Sequence, residues 1–290
     1  MRRFVVAFLL IALVAISALG QSESAPTLRV VTEDPTLPSE LFYGDVKVKP
    51  LRLRPGTNQR ITIDDSDFFV QQQYIDFLSR FPEAQGFSSW LNVLNKCSGD
   101  ANCLRDQRIE VSASFFRSTE FQLKGYFVYR FYKASLGRLP KYTEIIPDMR
   151  SVTGQTGDEV TAKKDAFTNA WVTRPEFKAI YDPITDPAAY VDKLAATAGI
   201  TLSNRDQLVS DLRAGKLSRA QVLRAVVESS EEDRKEYNNA FVAMQYYGYL
   251  RRDPVPEGYN GWLRVINRNP EDYRTMVDGF VNSVEYRNRF

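Results

Sequence analysis

Histidine is absent from this 290-residue chain, and cysteine occurs only twice. Without histidine the chain has no Ser–His or Cys–His nucleophile pair, no histidine general base and no histidine-ligated zinc. Enzyme chemistry would have to depend on carboxylates, such as the two acids of a glycan hydrolase. The chain has 36 acidic residues and no pair stands out. We therefore expect no enzyme, no cofactor and no metal site.

A long apolar run occurs only at the N-terminus, where it extends from Phe4 to Leu19 behind two arginines. The small residues of SALGQS follow, and this order is typical of a secretory signal peptide of residues 1–20 that is cleaved after Gly20. An uncleaved membrane anchor is the alternative, but the run is shorter than the roughly 20 residues of a spanning helix. We expect a secreted protein that is periplasmic, at the cell surface or extracellular.

Excess charge of either sign is also lacking. Removal of residues 1–20 takes away two arginines and no acid, which leaves 36 basic and 36 acidic residues. A chain with no net charge does not attract polyanions as a whole. Nucleic acid is therefore not an expected partner.

The two cysteines, Cys97 and Cys103, are separated by five residues in CSGDANC. In an exported chain this spacing predicts a local disulfide across a Gly-containing loop. A metal pair or a redox pair is the alternative, but the chain has no Cys-x-x-Cys motif and no histidine.

Residues 21–65 differ from the rest of the chain. They begin with many Pro, Thr and Ser residues and then alternate in DVKVKPLRLRPGTNQRITIDD, with apolar residues at every second position around a Pro-Gly turn. Alternation of this kind is typical of strands. We expect a flexible leader followed by one or two short strands, and a helical pattern from Ser66 onward.

An internal repeat governs the helical part. Aligning Phe69 with Phe241 superimposes, without a gap, an Arg, a Pro, a Gly and a Trp at 11, 13, 17 and 21 residues after the Phe. A further copy starts at Phe127 and keeps the Arg and the Pro but lacks the Gly and the Trp. A weaker copy starts at Tyr190.

Each copy ends on a related phrase, namely FRSTEF, VTRPEF, VESSEE or VNSVEY. The copies are 51 to 63 residues apart, which is long enough for three helices each. We expect an all-α fold of about four three-helix units after a short extended or β segment. Repeats one and two occupy residues 66–183, and repeats three and four occupy residues 184–290.

The repeated Arg and Glu predict a structural joint. The Arg lies at the end of the long helix, because the Arg-x-Pro turn ends that helix. The Glu follows a Ser that can cap the next helix. The expected pairs are Arg80 with Glu120, Arg138 with Glu176, and Arg252 with Glu285. Ligand binding is the alternative, but one site does not need three copies of the same residues.

Aromatic residues near the last joint are candidates for core or for contact. Trp90 and Trp262 are expected in the core rather than as sugar platforms. The candidate partner contacts are Tyr246, Tyr247, Tyr249 and Tyr259. Successive tyrosines on one helix cannot all face one core, so at least one is expected to be exposed, where it would suit a protein interface or a sugar.

The phrases FVQQQYIDFLSRFPEAQGFSSWLNVL and AFVAMQYYGYLRRDPVPEGYNGWLRVIN, with the closing phrases, resemble the bacterial domain of unknown function 4214. The resemblance covers about residues 66–290, and repeats two and three depart from its motifs. It implies secreted helical repeats similar to the phycobilisome linker domain, which binds other proteins. It implies no catalytic residues.

We expect an exported, non-enzymatic helical module that binds a protein partner at the cell envelope or surface. A carbohydrate-binding envelope protein that uses exposed tyrosines is the alternative, with polysaccharide as its partner. A carboxylate-dependent glycan hydrolase is a third hypothesis. Contact with a membrane is expected only through an uncleaved signal segment.

Overall fold

The chain becomes helical at Ser66, where the sequence pattern changes. The structure is a computed structural model, and it describes residues 28–31, 40–44, 46–48, 52–154 and 156–290. The expected signal peptide of residues 1–20 lies outside the described residues. Within these ranges, no helix combines the length and the apolar composition that crossing a bilayer requires.

Three short strands precede the helices and form an antiparallel sheet in the order β1-β2-β3. They are β1 (Leu28–Val31), β2 (Glu40–Tyr43) and β3 (Val46–Val48). Tyr43 pairs with Val46, so a two-residue loop joins β2 to β3. Its first residue is Gly44, whose φ of 58° suits such a hairpin.

Strand β3 lies in the alternating part where strands are expected, and β1 and β2 lie in the part before it, which the sequence predicts to be a flexible leader. Strands β1 and β2 have only four residues each, so their alternation is too short to be recognised alone. Around the Pro-Gly turn, within residues 52–65, a single bridge joins Leu53 and Arg60.

The leader packs on the helices. Glu40 of β2 accepts a hydrogen bond from Arg251 at 3.0 Å. Arg54 pairs with Asp67 at 2.6 Å, at the start of the first helix. Ile63 belongs to the hydrophobic core. The described part of the leader is therefore attached to the helices by ion pairs and by burial of an apolar side chain.

The α-helices of the described residues fall into four groups that match the sequence repeats. The first group contains α1 (Ser66–Gln73), α2 (Ala84–Asn95) and α3 (Ala101–Arg117). The second contains α4 (Thr119–Phe121), α5 (Phe127–Leu136), α6 (Tyr142–Ser151) and α7 (Gly157–Trp171). The third contains α8 (Pro175–Tyr181), α9 (Pro187–Ala198), α10 (Arg205–Arg213) and α11 (Arg219–Val227). The fourth contains α12 (Ser230–Gln245), α13 (Pro256–Arg268), α14 (Tyr273–Val281) and α15 (Val284–Arg287). The expected helical-repeat fold with a short β segment before it is thus confirmed.

The repeats are joined directly, because each closing phrase caps the next helix. Ser118, Ser229 and Ser283 each accept a hydrogen bond from the backbone N–H three residues later, at 3.1, 3.2 and 3.0 Å. Between repeats two and three Arg174 holds this position and Pro175 starts the helix, where a missing N–H costs nothing.

Three of the long helices contain a π-helical turn, at Tyr74–Leu78, Gln122–Tyr126 and Tyr246–Leu250. The first and the last lead into the left-handed residues Ser79 and Arg251, with φ of 52° and 51°. Because a π turn contains more residues than an α turn, it rotates the side chains that follow around the helix axis.

One hydrophobic core runs through all four repeats, from Ile63 to Tyr286. Helix α3 packs on α14, and α5 packs on α9, α11 and α12. Equivalent residues of the first and the last repeats meet, since the ring centroids of Phe77 and Tyr249 are 4.9 Å apart. Gly248 permits this approach, because a Cβ there would lie 1.9 Å from Cε1 of Phe77.

Gly248→Ala should therefore destabilise the fold by roughly 1 to 3 kcal/mol, since its methyl group would overlap Phe77. Gly261→Ala is the matched control, because Gly261 lies inside α13 and a Cβ there would meet nothing within 4 Å. The control should be neutral or should stabilise by about 1 kcal/mol. Urea denaturation measures both, and equal effects would contradict the proposed contact between the first and last repeats.

Candidate binding site

An arginine–glutamate pair closes the turn after the long helix in repeats one, two and four. The pairs are Arg80–Glu120, Arg138–Glu176 and Arg252–Glu285. In each pair Nε and one Nη donate to the two carboxylate oxygens, at distances between 2.6 and 3.0 Å. The structure thus brings together the residues that the sequence pairs, in the bidentate geometry that is strongest for arginine.

Each arginine also lies over a tyrosine of its own long helix, five residues after the leading Phe. The pairs are Arg80 over Tyr74, Arg138 over Tyr132 and Arg252 over Tyr246, at 5.0, 5.2 and 5.3 Å from the ring centroid. This is cation–π distance. The repeated joint is therefore a tyrosine, an arginine and a glutamate.

The carboxylates of the joints are held ionised. Burial acts to raise the pKa of Glu120, but hydrogen bonds from Arg80 and Lys124 outweigh it and lower that pKa to about 2. The equivalent arginine lowers the pKa of the carboxylate in the other two joints as well, mainly through its hydrogen bonds. These three groups therefore hold no proton at neutral pH that they could donate in catalysis.

The four tyrosines proposed as partner contacts are buried, which corrects that prediction. Tyr246, Tyr247, Tyr249 and Tyr259 expose 4%, 2%, 0% and 9% of their surface. The hydroxyl of Tyr247 donates to the Pro140 carbonyl at 2.6 Å. The prediction assumes that one face of the helix meets solvent. Instead α12 and its π turn are enclosed by α5, α13, α14 and α15, so tyrosines on several faces are all covered.

Trp90 and Trp262 are half-buried and pack on the core. Their ring centroids lie 5.9 Å from Phe115 and 6.1 Å from Phe280. Each indole thus covers a phenyl ring from the end of the third helix of its own repeat.

Cys97 and Cys103 form a disulfide between α2 and α3, with their Cα atoms 5.5 Å apart. Ser98 and Gly99, in the enclosed loop, both have a left-handed backbone, with φ of 51° and 86°. The bridge lies at the edge of the first repeat and takes no part in a joint.

The joint of the second repeat is built from different residues. Glu144 stands where repeats one and four have Gly, and Asp148 stands where they have Trp. Trp171 stands where they have Phe115 and Phe280. Arg174 stands where the other closing phrases have the capping Ser. At these positions the second repeat therefore has two more acids and one more arginine than repeats one and four. The first joint has an additional acid of its own, Glu83, which binds Arg80 at 2.5 Å.

These residues bind one another. Arg138 donates to Glu144 at 2.8 and 2.9 Å, in addition to its bond with Glu176. Arg174 donates to both oxygens of Asp148 at 2.9 and 2.7 Å. The guanidinium of Arg174 also lies 4.1 Å from the ring centroid of Trp171. It covers Trp171 in the way that an indole covers Phe115 and Phe280 in the sister joints.

A cavity of about 410 Å³ opens at this joint. Its wall is mostly apolar, and three carboxylates face two guanidiniums within it. The lining side chains are Tyr132, Leu136, Arg138, Glu144, Pro147, Asp148, Trp171, Arg174, Pro175, Glu176 and Phe177. Its exposed edge is formed by Pro147, Pro175 and Glu176. We define these residues as the joint cavity.

The sequence predictions do not place Glu144, Asp148, Trp171 and Arg174 together in one site. From the sequence, the absent Gly and Trp of this repeat are interpreted as a loss of the motif. The signal lies in what replaces them, because acids take both positions and an arginine takes the capping position.

A second cavity of about 630 Å³ lies between the first joint and the start of α7. Lys124, Lys164 and Arg224 line it, but each cation is already paired. Lys124 binds Glu120 at 2.8 Å. Lys164 and Arg224 share Glu228, at 3.3 and 2.8 Å. Arg224 also binds Asp165, and Arg80, which lines the cavity as well, binds Glu120. Each cation of this cavity therefore already has a carboxylate partner.

Comparison with protein families identifies the last repeat. Residues 232–290 match the family model described as domain of unknown function (DUF4214). The fourth repeat is therefore similar to this family, and the matched residues include the Arg252–Glu285 joint. No curated protein and no solved structure matches the chain.

The joint of the fourth repeat should act in folding. Arg252→Glu would place two carboxylates against each other and remove the cation from Tyr246. We expect a loss of roughly 1 to 2 kcal/mol in urea denaturation at low salt, and less at high salt, because the pair is partly exposed. Arg264→Glu, which reverses an exposed charge on α13, is the control and should have little effect. Unchanged stability together with lost partner binding would instead assign Arg252 to recognition.

Proposed function

We propose that this chain is an exported, non-enzymatic helical module that binds a protein partner at the cell envelope or surface. The observation that carries the proposal is the joint cavity. The second repeat replaces joint residues that repeats one and four share, and the replacement leaves an open apolar recess with a charged edge.

The charge state of the joint cavity argues for binding rather than catalysis. Arg138 lowers the pKa of Glu144 and of Glu176, in both cases mainly by its hydrogen bonds. Asp148 is held by both nitrogens of Arg174. A glycan hydrolase needs one carboxyl group that keeps its proton and can give it to the leaving group. No carboxyl group of this cavity is free of an arginine.

The partner would insert an apolar side chain into the recess. Leu136, Pro147 and Pro175 offer it apolar contact, and pockets of this kind accept the anchor residues of protein interfaces. Because three carboxylates face only two arginines, the edge favours a lysine or arginine of the partner beside that anchor. Glu176 is the exposed acid that such a cation would reach first.

Burial of the tyrosines favours a protein over a sugar. The carbohydrate hypothesis depends on an exposed aromatic ring on which a sugar can stack, and Tyr246, Tyr247, Tyr249 and Tyr259 offer none. In the joint cavity itself, Arg174 covers the ring of Trp171.

Export is part of the proposal. It rests on the signal pattern of residues 1–20, and a disulfide between Cys97 and Cys103 fits an oxidising compartment.

The test replaces the joint cavity by the sister joint. The variant Asp148→Trp, Trp171→Phe, Arg174→Ser restores the residues of repeats one and four at these positions, so the fold should persist while the recess is filled. Affinity capture from envelope extract should then lose the partner by at least tenfold, and a glycan array should stay negative for both proteins. Val255→Ser is the control. It changes an exposed apolar residue beside the joint of the fourth repeat, and this variant should still bind the partner.

Capture of the same partner by the filled variant, with its helicity unchanged, would show that the recess is not the binding site. Micromolar binding of wild-type protein to a glycan, with no protein recovered, would overturn the protein-partner proposal.

A further inference from the structure

A carboxyl group occupies an aromatic core position at the start of the fourth repeat. Three residues after the capping position, the sister phrases have Phe121, Phe177 and Tyr286, which expose 1%, 2% and 0% of their surface. The equivalent residue at the start of α12 is Glu232, which exposes 0%. Neither of its carboxyl oxygens has a hydrogen-bond partner among the described residues.

A second acid, Glu236, is buried one helical turn further along α12. Asn239 donates to it at 2.9 Å and the hydroxyl of Tyr129 donates at 3.4 Å. The negative charge of Glu236 acts on Glu232 and raises its pKa.

Cations face Glu232 from two helices, but none of them is hydrogen-bonded to it. Arg130 and Lys133 belong to α5 and Lys235 belongs to α12. Arg130 instead binds the carboxylate of Asp233, at 2.5 Å. The charge of Glu228, at the end of α11, also acts to raise the pKa of Arg130. The hydroxyl of Tyr126, in the π turn before α5, is buried in the same region without a partner.

Burial and then the charge of Glu236 raise the pKa of Glu232 to about 7, against the weaker opposing effect of the three cations. An ordinary glutamate has a pKa of 4.5. At mildly acid pH, Glu232 is neutral and fits the apolar position that its sister residues fill. Above neutral pH it carries a charge in the contact between α12 and α5.

We propose that Glu232 is a pH-sensitive latch. While Glu232 is protonated, the start of α12 stays packed against α5, and ionisation of Glu232 loosens that contact. Helix α5 also carries Tyr132 of the joint cavity. The latch therefore connects the acidity of the surroundings to the helix that supports the binding site.

The direction of the effect follows from proton binding. Between pH 4.5 and about 7 the folded chain holds a proton at Glu232 that the unfolded chain has lost. Stability is therefore full below pH 4.5, falls as the pH rises through this window, and changes no further above it. For a shift of this size, the folding equilibrium constant should fall by roughly 300-fold.

Urea denaturation of the wild-type chain, Glu232→Gln and Glu232→Phe at pH 5 and at pH 8 tests the latch. The wild type should be less stable at pH 8 than at pH 5. Both variants should lack the part of this decrease that ionisation of Glu232 causes. Hydrogen exchange, corrected for the intrinsic rate, should accelerate in α12 of the wild type at pH 8 and not in Glu232→Gln. Glu231→Gln, at the neighbouring acid, is the control and should keep the wild-type dependence.

An equal dependence on pH in wild type and Glu232→Gln would overturn the latch. If neither variant folds, titration of the Glu232 carboxyl carbon by NMR in the wild type decides the question. A midpoint near 7 is expected, whereas one near 4.5 would overturn the proposal.

Discussion

The bond between the arginine after one long helix and the glutamate at the start of the next is the constraint on which the architecture depends. It connects the two ends of a repeat, since Arg80 and Glu120 are separated by 40 residues in the chain. The arginine also lies on a tyrosine of its own helix, and in repeats one and four the glutamate stands two residues after a capping serine. One ion pair thus sets the end of a helix, the start of the next and the path between them. A joint built in this way needs no linker, which explains why the repeats follow each other directly.

The sequence predicts these joints because their residues recur at constant spacing. It fails for the tyrosines because exposure is not a property of one helix. Tyr247 and Tyr249 point in different directions from the π turn of the last repeat, and each meets another part of the chain. Tyr247 reaches Pro140, and Tyr249 meets Phe77 of the first repeat. Burial of Tyr249 depends on the packing of the last repeat against the first, and burial of Tyr247 depends on its packing against the second. Short strands such as β1 fail for a related reason, because pairing partners stabilise them more than their own sequence does.

The repeats that depart from the motif carry the unusual chemistry. In the second repeat, Asp148 replaces a tryptophan and is matched by Arg174, so the loss of an indole leads to a paired charge and an open recess. In the third repeat the arginine of the joint is missing, and Glu231 accepts a hydrogen bond from the backbone of Ser203 instead. Comparison of each repeat with its sisters therefore separates the residues that build the frame from those that the frame leaves free to change.

Two acids of related phrases show how strongly position controls charge. Glu120 stands two residues after its capping serine and faces the arginine of the joint, so its pKa is lowered to about 2. Glu232 stands three residues after its capping serine and faces the core, so burial raises its pKa to about 7. Successive residues of a helix are rotated by about 100° around the axis, so a step of one residue moves a side chain from the joint to the core. The core side suits an aromatic ring, and Phe121, Phe177 and Tyr286 fill it in the other phrases. A carboxyl group at that point can remain uncharged only by keeping its proton, and its charge therefore depends on the pH of the solvent.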